Sequence, residues 1–416
     1  MCILAIRLKA EITYFCEKTM LTNRQLFSLH LGLPAVVYNP VEIVSAKGIY
    51  LYDDQGNTYV DLVSGVSVSN LGHLHPRVVN AIKDQLDRYM HVMVYGKFVQ
   101  SPQVKLAARL AGLLPDKLQS VYFVNSGSEA IEGAIKLAKR VTGRTEMVSF
   151  KNAYHGGTAG TLSLLGSETL KNAFRPLLPD TRMLDFNQLD QLEQISERTA
   201  CVIIEPIQAE AGIILPNPGY LAALRKKCDV TGAMLVFDEI QMGFGRTGRL
   251  FAFEHEGVVP DILCIAKAMG GGMPIGAFIS SRDNMLSLTH HPELGHITTF
   301  GGHPVSCAAS LAAIEVLIDE RLIEQADEKG KLFADSLIRL RHVTAIRQAG
   351  LMLAVELESE AILDDIMKKF SENRIIVDRF LFNSKSFRIA PPLNIEKSEI
   401  LKILEILIPI IDTTNI

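Results

Sequence analysis

Several familiar signatures are missing from this sequence of 416 residues. Its six cysteines are scattered, with no C-x-x-C pair and no cluster with histidine. That pattern argues against a disulfide framework or a zinc site and favours reduced thiols in a cytoplasmic protein. No apolar run reaches the roughly 18 residues that a membrane helix needs. The formal net charge of −4 leaves no positive excess for nucleic acid. We therefore expect no metal, membrane or nucleic acid as a partner.

The first residues, MCILAIRLKAEITYF, also lack the pattern of a signal peptide. They have no charged start, no long apolar core and no small-residue cleavage site. A more ordinary start follows at Met20, so we expect residues 1–19 to be an N-terminal extension. Near the other end, residues 400–411 are apolar but contain Lys402 and Glu405 at helical spacing, which predicts an amphipathic helix packed on the core.

Apolar segments of strand length alternate with helical patterns through the middle of the chain. The strand-like segments are residues 120–124, 147–150, 200–204 and 234–237, and the helical ones are residues 130–141 and 219–230. Two of the strands, 200–204 and 234–237, are wholly apolar, as strands buried on both faces of a parallel sheet are. The pattern predicts an α/β fold in which helices cover a mostly parallel central sheet.

The two ends of the chain differ from this middle part. Residues 48–62 alternate like a β-hairpin with its turn at 53–57, and long helices followed by short strands are predicted after residue 310. We therefore expect a small α+β domain built from residues 20–70 and 310–416. A large domain, residues 71–309, would lie between its two parts.

One glycine motif, GFGRTG at residues 243–248, matches the dinucleotide-binding pattern G-x-G-x-x-G and follows a predicted strand. That pattern also requires a helix opening at its third glycine and an acid about 20 residues further on. No helical pattern starts at Gly248, and Pro260 follows soon after. We therefore disfavour a dinucleotide site. The sequence also has no G-x-x-x-x-G-K-[ST] loop for ATP or GTP.

A second loop, NSGSEA at residues 125–130, lies between a predicted strand and a predicted helix. Small hydroxyl residues around Gly127 at a helix N-terminus suit a phosphate group, because the free N–H groups and the helix dipole attract anions. A plain helix cap formed by Ser128 is the alternative. Asp238, Glu239 and Gln241 end a buried strand, where acids point into the crevice in which such folds bind ligands.

A single lysine, Lys267, stands in CIAKAMGGGMPIGA (residues 264–277) between a strand-like run and three glycines. Taken alone, it reads as a surface lysine. Together with the phosphate loop and Asp238, it completes the parts of a pyridoxal phosphate site. In such a site a lysine amine forms a Schiff base with the cofactor and an acid pairs with the ring nitrogen. The glycines would let the backbone approach the cofactor closely.

The motifs NSGSEA, KNAYHGGT, EPIQAEAG, FDEIQMGFGRTG, AKAMGGGMPIGA, HITTFGGHP and RIAPPLNI occur in this order. Together they resemble the class III pyridoxal-phosphate aminotransferases, and most of all the acetylornithine and ornithine aminotransferase group. The resemblance covers nearly the whole chain. It implies a fold-type I transferase that moves an amino group to 2-oxoglutarate by a ping-pong mechanism.

The resemblance also implies a role for each matching residue around the cofactor. Lys267 would be the Schiff-base lysine and proton shuttle, and Asp238 would pair with the ring nitrogen. The remaining cofactor contacts would come from Ser126, Gly127 and Ser128 at the phosphate, Tyr154 and Ile240 on the two ring faces, and Gln241 at the ring hydroxyl.

Further roles concern the substrates and a second subunit. Arg388 resembles the arginine that binds the α-carboxylate of glutamate or 2-oxoglutarate, and Glu210 resembles the glutamate that pairs with it when the other substrate is bound. Thr299 resembles a threonine that reaches the phosphate from the neighbouring subunit. The resemblance thus implies a homodimer with a shared active site.

One position departs from the family pattern. Acetylornithine and ornithine aminotransferases usually carry arginine in F/Y-H-G-R-T, where it binds a distal carboxylate, and this chain has Gly157 there. Glycine supplies no charge, so a donor with a less acidic distal end is an alternative. A β- or ω-amino acid aminotransferase fits that case. A racemase, epimerase or aminomutase on the same fold is a further alternative, because it also needs Lys267.

Overall fold

The computed structural model describes residues 21–35 and 40–414. The predicted extension, residues 1–19, lies outside the described residues. By their internal contacts the described residues divide into two compact units, residues 21–35, 40–46 and 51–59, and residues 47–50 with 60–414. The predicted domain boundaries at residues 70 and 309 stay predictions. Among the described residues, no helix is long and apolar enough to cross a membrane.

The first unit contains helix α1 (Asn23–His30), which starts with a capping box. Gln25 N–H donates to Thr22 Oγ1 (3.3 Å), and Thr22 N–H donates to Gln25 Oε1 (2.8 Å). Strands β1 (Ile43–Lys47), β2 (Tyr50–Asp53) and β3 (Thr58–Asp61) contain residues of both units. Asp53 N–H donates to Asn57 O (3.1 Å), which closes the predicted hairpin turn.

The second unit is built around a seven-stranded sheet in the order β4-β10-β9-β8-β7-β5-β6. Its strands are β4 (Ser120–Val124), β5 (Glu146–Phe150), β6 (Thr181–Leu184), β7 (Thr199–Ile204), β8 (Met234–Asp238), β9 (Ile262–Ile265) and β10 (Gly276–Ser280). Strands β9, β8, β7, β5 and β6 run parallel to one another, and β10 pairs in the antiparallel sense with both β9 and β4. The predicted mostly parallel α/β sheet is confirmed.

Helices bury the sheet. Every residue of β5, β7, β8, β9 and β10 is buried, and burial on both faces explains the uninterrupted apolar runs at residues 200–204 in β7 and 234–237 in β8. The helices of the second unit are α2 (Pro76–Leu86), α3 (Ser101–Leu113), α4 (Gly127–Thr142), α5 (Ala159–Ser163), α6 (Glu168–Lys171), α7 (Tyr220–Thr231), α8 (Arg282–Leu286), α9 (Pro304–Asp319), α10 (Leu322–Leu337), α11 (Glu360–Glu372) and α12 (Lys397–Thr413). Helix α4 packs on β9 and β10, and α7 packs on β8.

The last hundred residues add a smaller antiparallel sheet in the order β11-β12-β15-β14. Its strands are β11 (Val343–Gln348), β12 (Leu353–Leu357), β14 (Asp378–Arg379) and β15 (Ser386–Ile389). The short strand β13 (Ile375–Ile376) instead pairs in parallel with Val60 and Asp61. Helices α10 and α11 both pack on α12, which is the amphipathic helix predicted from residues 400–411.

Helix starts differ most from the sequence-based expectation. Helix α4 begins at Gly127, three residues before the predicted start, because the Ser126 side chain caps it. Helix α9 begins at Pro304, ahead of the helices predicted after residue 310, since proline at the first helical position costs no hydrogen bond. Residues 243–248 form turns, and in this described stretch no helix opens at Gly248. The disfavoured dinucleotide motif therefore lacks its required helix.

Candidate active site

A cavity of about 440 Å³ opens where the central sheet ends, and it contains most of the predicted site residues. Lys267 lies two residues after the end of β9, and Asp238 is the last residue of the neighbouring strand β8. Parallel strands bring their carboxyl ends to one edge, so side chains 29 positions apart meet in one crevice. The predicted residues that line the cavity are Ser126, Gly127, Ser128, Tyr154, Asp238, Ile240, Gln241 and Lys267.

Lys267 starts a short 3₁₀ turn, Lys267–Gly270, and holds a left-handed backbone angle of φ +48°. Its Nζ donates to Gln241 Oε1 at 3.1 Å. Burial lowers the pKa of Lys267, and the negative charges of Glu210 and Asp238 oppose that shift. A lowered pKa increases the fraction of neutral amine, which is the form that attacks a carbonyl carbon.

Two of the three glycines after Lys267 pack against neighbouring protein atoms. A Cβ at Gly271, where φ is +58°, would lie 2.9 Å from the Cβ of Ala313 in α9. A Cβ at Gly270 would lie 3.1 Å from Ile275. Gly272 instead lines the cavity, and a Cβ there would meet no protein atom within 4 Å. The expected close approach of the backbone to the cofactor therefore stays a prediction for Gly272.

The N-terminus of α4 forms another wall of the cavity. Ser126 is the cap, because its Oγ accepts the N–H of Glu129 at 3.2 Å, so the alternative that Ser128 caps the helix is wrong. Ser128 Oγ instead accepts the N–H of Gly157 at 3.2 Å. Gly127 is tightly packed, since a Cβ there would lie 2.9 Å from Ile240 Cδ1. Gly127 and Ser128, the first two residues of the helix, both line the cavity.

Asp238 has a buried partner that the sequence reading missed, His155. Its Nδ1 lies 2.7 Å from Asp238 Oδ2, while Asp238 Oδ1 accepts the N–H of Ile240 at 3.0 Å. Burial alone would lower the pKa of His155, but its hydrogen bond to Asp238 and the charges of Asp238 and Glu205 raise it more. The one available signal was the position of His155 beside Tyr154 in the motif KNAYHGGT.

Glu205 is the second missed residue, and it also lines the cavity. Its carboxylate accepts the N–H of Tyr154 at 3.1 Å and the N–H of Ala209 at 2.8 Å. Burial raises the pKa of Glu205, and the positive charge of protonated His155 opposes that shift. Glu205 follows β7 just as Asp238 ends β8, and an acid directly after an apolar strand was the signal that could have found it.

Glu239 shows the opposite arrangement. Its buried carboxylate accepts the N–H groups of Ala252 at 2.8 Å and Phe253 at 2.7 Å and does not line the cavity. Burial raises the pKa of Glu239 to about 8. Of the two adjacent acids at the end of β8, Asp238 therefore faces the cavity and Glu239 supports a neighbouring loop.

Arg388 and Glu210 form a buried ion pair close to this cavity. Arg388 Nη2 donates to Glu210 Oε1 at 2.7 Å, and the guanidinium lies 4.6 Å from the ring centre of Phe380. Arg388 is fully buried on β15, and Glu210 lies in the loop after β7. Both charges act on the pKa of Lys267, which places the pair within electrostatic reach of the lysine.

Thr299 and Gly157, like Arg388 and Glu210, are not among the residues that line the cavity. Thr299 is exposed, and its Oγ1 lies 3.4 Å from the Tyr95 hydroxyl. Gly157 is exposed as well, and a Cβ placed there would meet no atom within 4 Å. The single chain therefore does not bring Thr299 to Lys267, and position 157 has room for a larger side chain.

The comparisons with known proteins agree with this geometry. Residues 34–411 match the family model described as aminotransferase class-III. The chain belongs to the class III aminotransferases. It is therefore a pyridoxal-phosphate-dependent transaminase, an enzyme class that uses an amino donor and a keto-acid acceptor.

Individual relatives cover nearly the whole chain. The acetylornithine aminotransferase of Methanopyrus kandleri is 40% identical over 370 residues, which are 88% of this chain and 92% of that protein. The solved structure of the ornithine aminotransferase from Toxoplasma gondii ME49 has a TM-score of 0.86 at 31% identity, covering 96% of this chain and 97% of its own. The solved structure of an (S)-enantioselective omega-transaminase from Thermomicrobium roseum has a TM-score of 0.86 at 29% identity, covering 92% of this chain and 96% of its own.

The residues of this class III aminotransferase fit pyridoxal phosphate. The buried Nε2 of Gln241 has no hydrogen-bond partner among the described residues and belongs to a side chain that lines the cavity. The N-terminus of α4 offers N–H groups and a positive dipole end for a phosphate. Ile240 and the half-exposed ring of Tyr154 supply apolar surface for an aromatic ring. Lys267 and Asp238 supply the amine and the acid.

Proposed function

We propose that this enzyme moves an amino group from a donor amine to 2-oxoglutarate in two half-reactions, in the manner of acetylornithine and ornithine aminotransferases. The observation that carries the proposal is the partly buried Lys267 amine beside Gln241, one strand away from the Asp238–His155 pair. The named relatives favour the acetylornithine and ornithine group. A cytoplasmic location stays a prediction.

The residues of the cavity would divide the work as follows. Lys267 would hold the cofactor covalently and carry a proton to and from the substrate carbon. Asp238, hydrogen-bonded to His155, would face the ring nitrogen as a carboxylate. The start of α4, at Ser126, Gly127 and Ser128, would hold the phosphate. When bound, pyridoxal phosphate supplies an electron sink and a carrier for the amino group.

Substrate binding would depend on the Arg388–Glu210 pair. A planar guanidinium binds a carboxylate through two parallel hydrogen bonds, so Arg388 suits the α-carboxylate of 2-oxoglutarate. With Glu210 bound to it, as in this structure, the arginine charge is neutralised and an amine without a nearby carboxylate can enter. One pocket would thus accept two unlike substrates.

We also propose a homodimer in which Thr299 reaches the cofactor of the partner subunit. Thr299 is exposed, and exposed apolar side chains stand beside it, such as Ile297 and Phe300. The His91 ring lies 5.1 Å from the Phe300 ring, so residues 91–95 and 297–300 share one surface. Such a surface is well suited to a subunit contact.

The donor is the open part of the proposal. The relatives point to acetylornithine or ornithine, but Gly157 supplies no charge for a distal carboxylate. The similarity to an omega-transaminase favours a β- or ω-amino donor as the second candidate. Both candidates share the same acceptor and the same lysine.

A donor panel tests the proposal directly. Acetylornithine, ornithine and β- and ω-amines are each assayed with and without 2-oxoglutarate, in the natural enzyme and in Gly157→Arg. Because a Cβ at position 157 meets no atom, we expect the variant to fold and to favour donors with a distal carboxylate. Gly112→Arg is the matched control, since Gly112 is also exposed with open space and does not line the cavity. Turnover without any keto acid would contradict the aminotransferase proposal and indicate a racemase or aminomutase.

A further inference from the structure

We propose that Glu205 is a positioning residue for the Asp238–His155 pair. Its carboxylate fixes the backbone just before His155, and its negative charge favours the protonated ring of His155. Asp238 then remains a hydrogen-bonded carboxylate facing the cavity. The proposal deepens the proposed function and rests on it for the meaning of Asp238, but the effect of Glu205 on His155 can be tested without the cofactor.

The first support is the place of Glu205 in the backbone. One carboxylate oxygen accepts the N–H of Tyr154 and the other accepts the N–H of Ala209, so a single side chain joins the loop after β5 to the loop after β7. Tyr154 and His155 are consecutive, and the ring of His155 reaches Asp238 at the end of β8. Glu205 therefore holds the residue that presents the histidine.

The second support is the charge balance around the histidine. His155 is fully buried at its side chain, and its Nε2 has no hydrogen-bond partner among the described residues. A second proton on that ring thus depends on nearby negative charge. The charges that act on His155 are those of Asp238 and Glu205, and both raise its pKa. Lys267, Glu210 and Arg388 complete the charged groups of the site.

The third support is a contrast inside the same fold. Glu239 is as buried as Glu205 and also accepts two backbone N–H groups, at 2.8 and 2.7 Å. It supports the loop at Ala252 and Phe253 and does not line the cavity. Glu239 shows that a buried carboxylate can hold a loop by two backbone hydrogen bonds from a position away from the cavity. Glu205 instead lines the cavity beside His155 and Asp238.

The experiment compares Glu205→Gln, Glu205→Asp and the control Glu239→Gln in the full-length chain. In apoenzyme with ¹⁵N-labelled histidine, the titration of His155 is followed by NMR and assigned with His155→Gln. We expect Glu205→Gln to lower the midpoint by about one pH unit, the effect of removing one close opposite charge. Glu239→Gln should leave the His155 midpoint unchanged. Glu205→Asp keeps the charge on a shorter side chain, so its His155 midpoint should lie close to that of the natural chain.

A second readout uses the holoenzyme. The pH dependence of the visible absorption of the bound cofactor should shift in Glu205→Gln and stay unchanged in Glu239→Gln. An unchanged His155 midpoint in both Glu205→Gln and Glu205→Asp would overturn the proposal, whatever happens to activity. Failure of the natural chain to bind pyridoxal phosphate would overturn the proposed function instead, and the apoenzyme titration would still decide the role of Glu205.

Discussion

Replacing Glu210 with glutamine separates the two substrates of the proposed reaction. In the structure Glu210 Oε1 lies 2.7 Å from Arg388 Nη2, and the other oxygen accepts the N–H of Leu381 at 3.2 Å. Removing one partner of a buried ion pair costs about 3–5 kcal/mol. Glutamine keeps a carbonyl acceptor, and Asp378 Oδ2 remains 3.9 Å from Arg388 Nη1. We therefore expect Glu210→Gln to weaken the interaction with Arg388 by about 1–3 kcal/mol.

The consequence differs between the half-reactions. 2-Oxoglutarate no longer has to displace a carboxylate from Arg388, so its apparent affinity should rise by about tenfold for each 1.4 kcal/mol released. An amine donor without an α-carboxylate near Arg388 instead meets an unneutralised cation and should bind more weakly. Single-turnover absorption changes of the cofactor, recorded against each substrate concentration, measure both affinities. Equal changes for donor and acceptor, or no change in either, would refute the reasoning.

Three further predictions concern stability, pH and the second subunit. Arg246 is fully buried and donates to Leu351 O (2.9 Å), Pro391 O (2.6 Å) and Asn70 Oδ1 (2.5 Å). Arg246→Met leaves these buried acceptors without a donor and should lower the free energy of unfolding, measured in urea, by at least about 3 kcal/mol. A decrease of less than about 1 kcal/mol would contradict this prediction. Because the folded-state pKa of Glu239 is raised to about 8, the stability from its neutral form is present below about pH 4.5 and is lost as the pH rises through 8. Glu239→Gln has no carboxyl group to ionise at this position. Its free energy of unfolding relative to the natural chain should therefore rise by up to a few kcal/mol between pH 5 and pH 9. A difference in stability that does not change with pH would contradict this prediction. Thr299→Ala should weaken cofactor binding about tenfold without dissolving the dimer, as losing one hydrogen bond to a phosphate implies, and unchanged binding would remove its proposed role.

The parts of the fold that sequence reading predicted are those with strong local patterns. The buried strand β7 (Thr199–Ile204) and the helix that follows Gly127 could be recognised because uninterrupted apolar runs and helical spacing are local properties. Helix starts were less accurate, because a cap such as Ser126 is decided by one hydrogen bond. Lys267 and Asp238 could be placed together because each follows a predicted strand of a parallel sheet.

The residues that sequence reading missed depend on contacts between distant loops. His155 and Glu205 are ordinary in sequence, and their roles arise only when the loops after β5 and β7 come together at Asp238. The role of Arg246 in the motif at residues 243–248 could not be predicted for the same reason, since Arg246 donates to the carbonyl groups of Leu351 and Pro391, more than a hundred residues away. Such long-range pairing has no periodic signature in a single sequence.

The central claim is that Lys267 is the lysine that holds pyridoxal phosphate. The most direct measurement is borohydride reduction of the protein loaded with the cofactor, followed by peptide mass spectrometry. The account predicts one phosphopyridoxyl label per chain, on Lys267, and none in Lys267→Ala. Lys329 is an informative internal comparison, because it is buried but donates to Leu393 O at 2.8 Å and lies outside the cavity. A label on Lys329 or another lysine, or no label at all, would contradict the account.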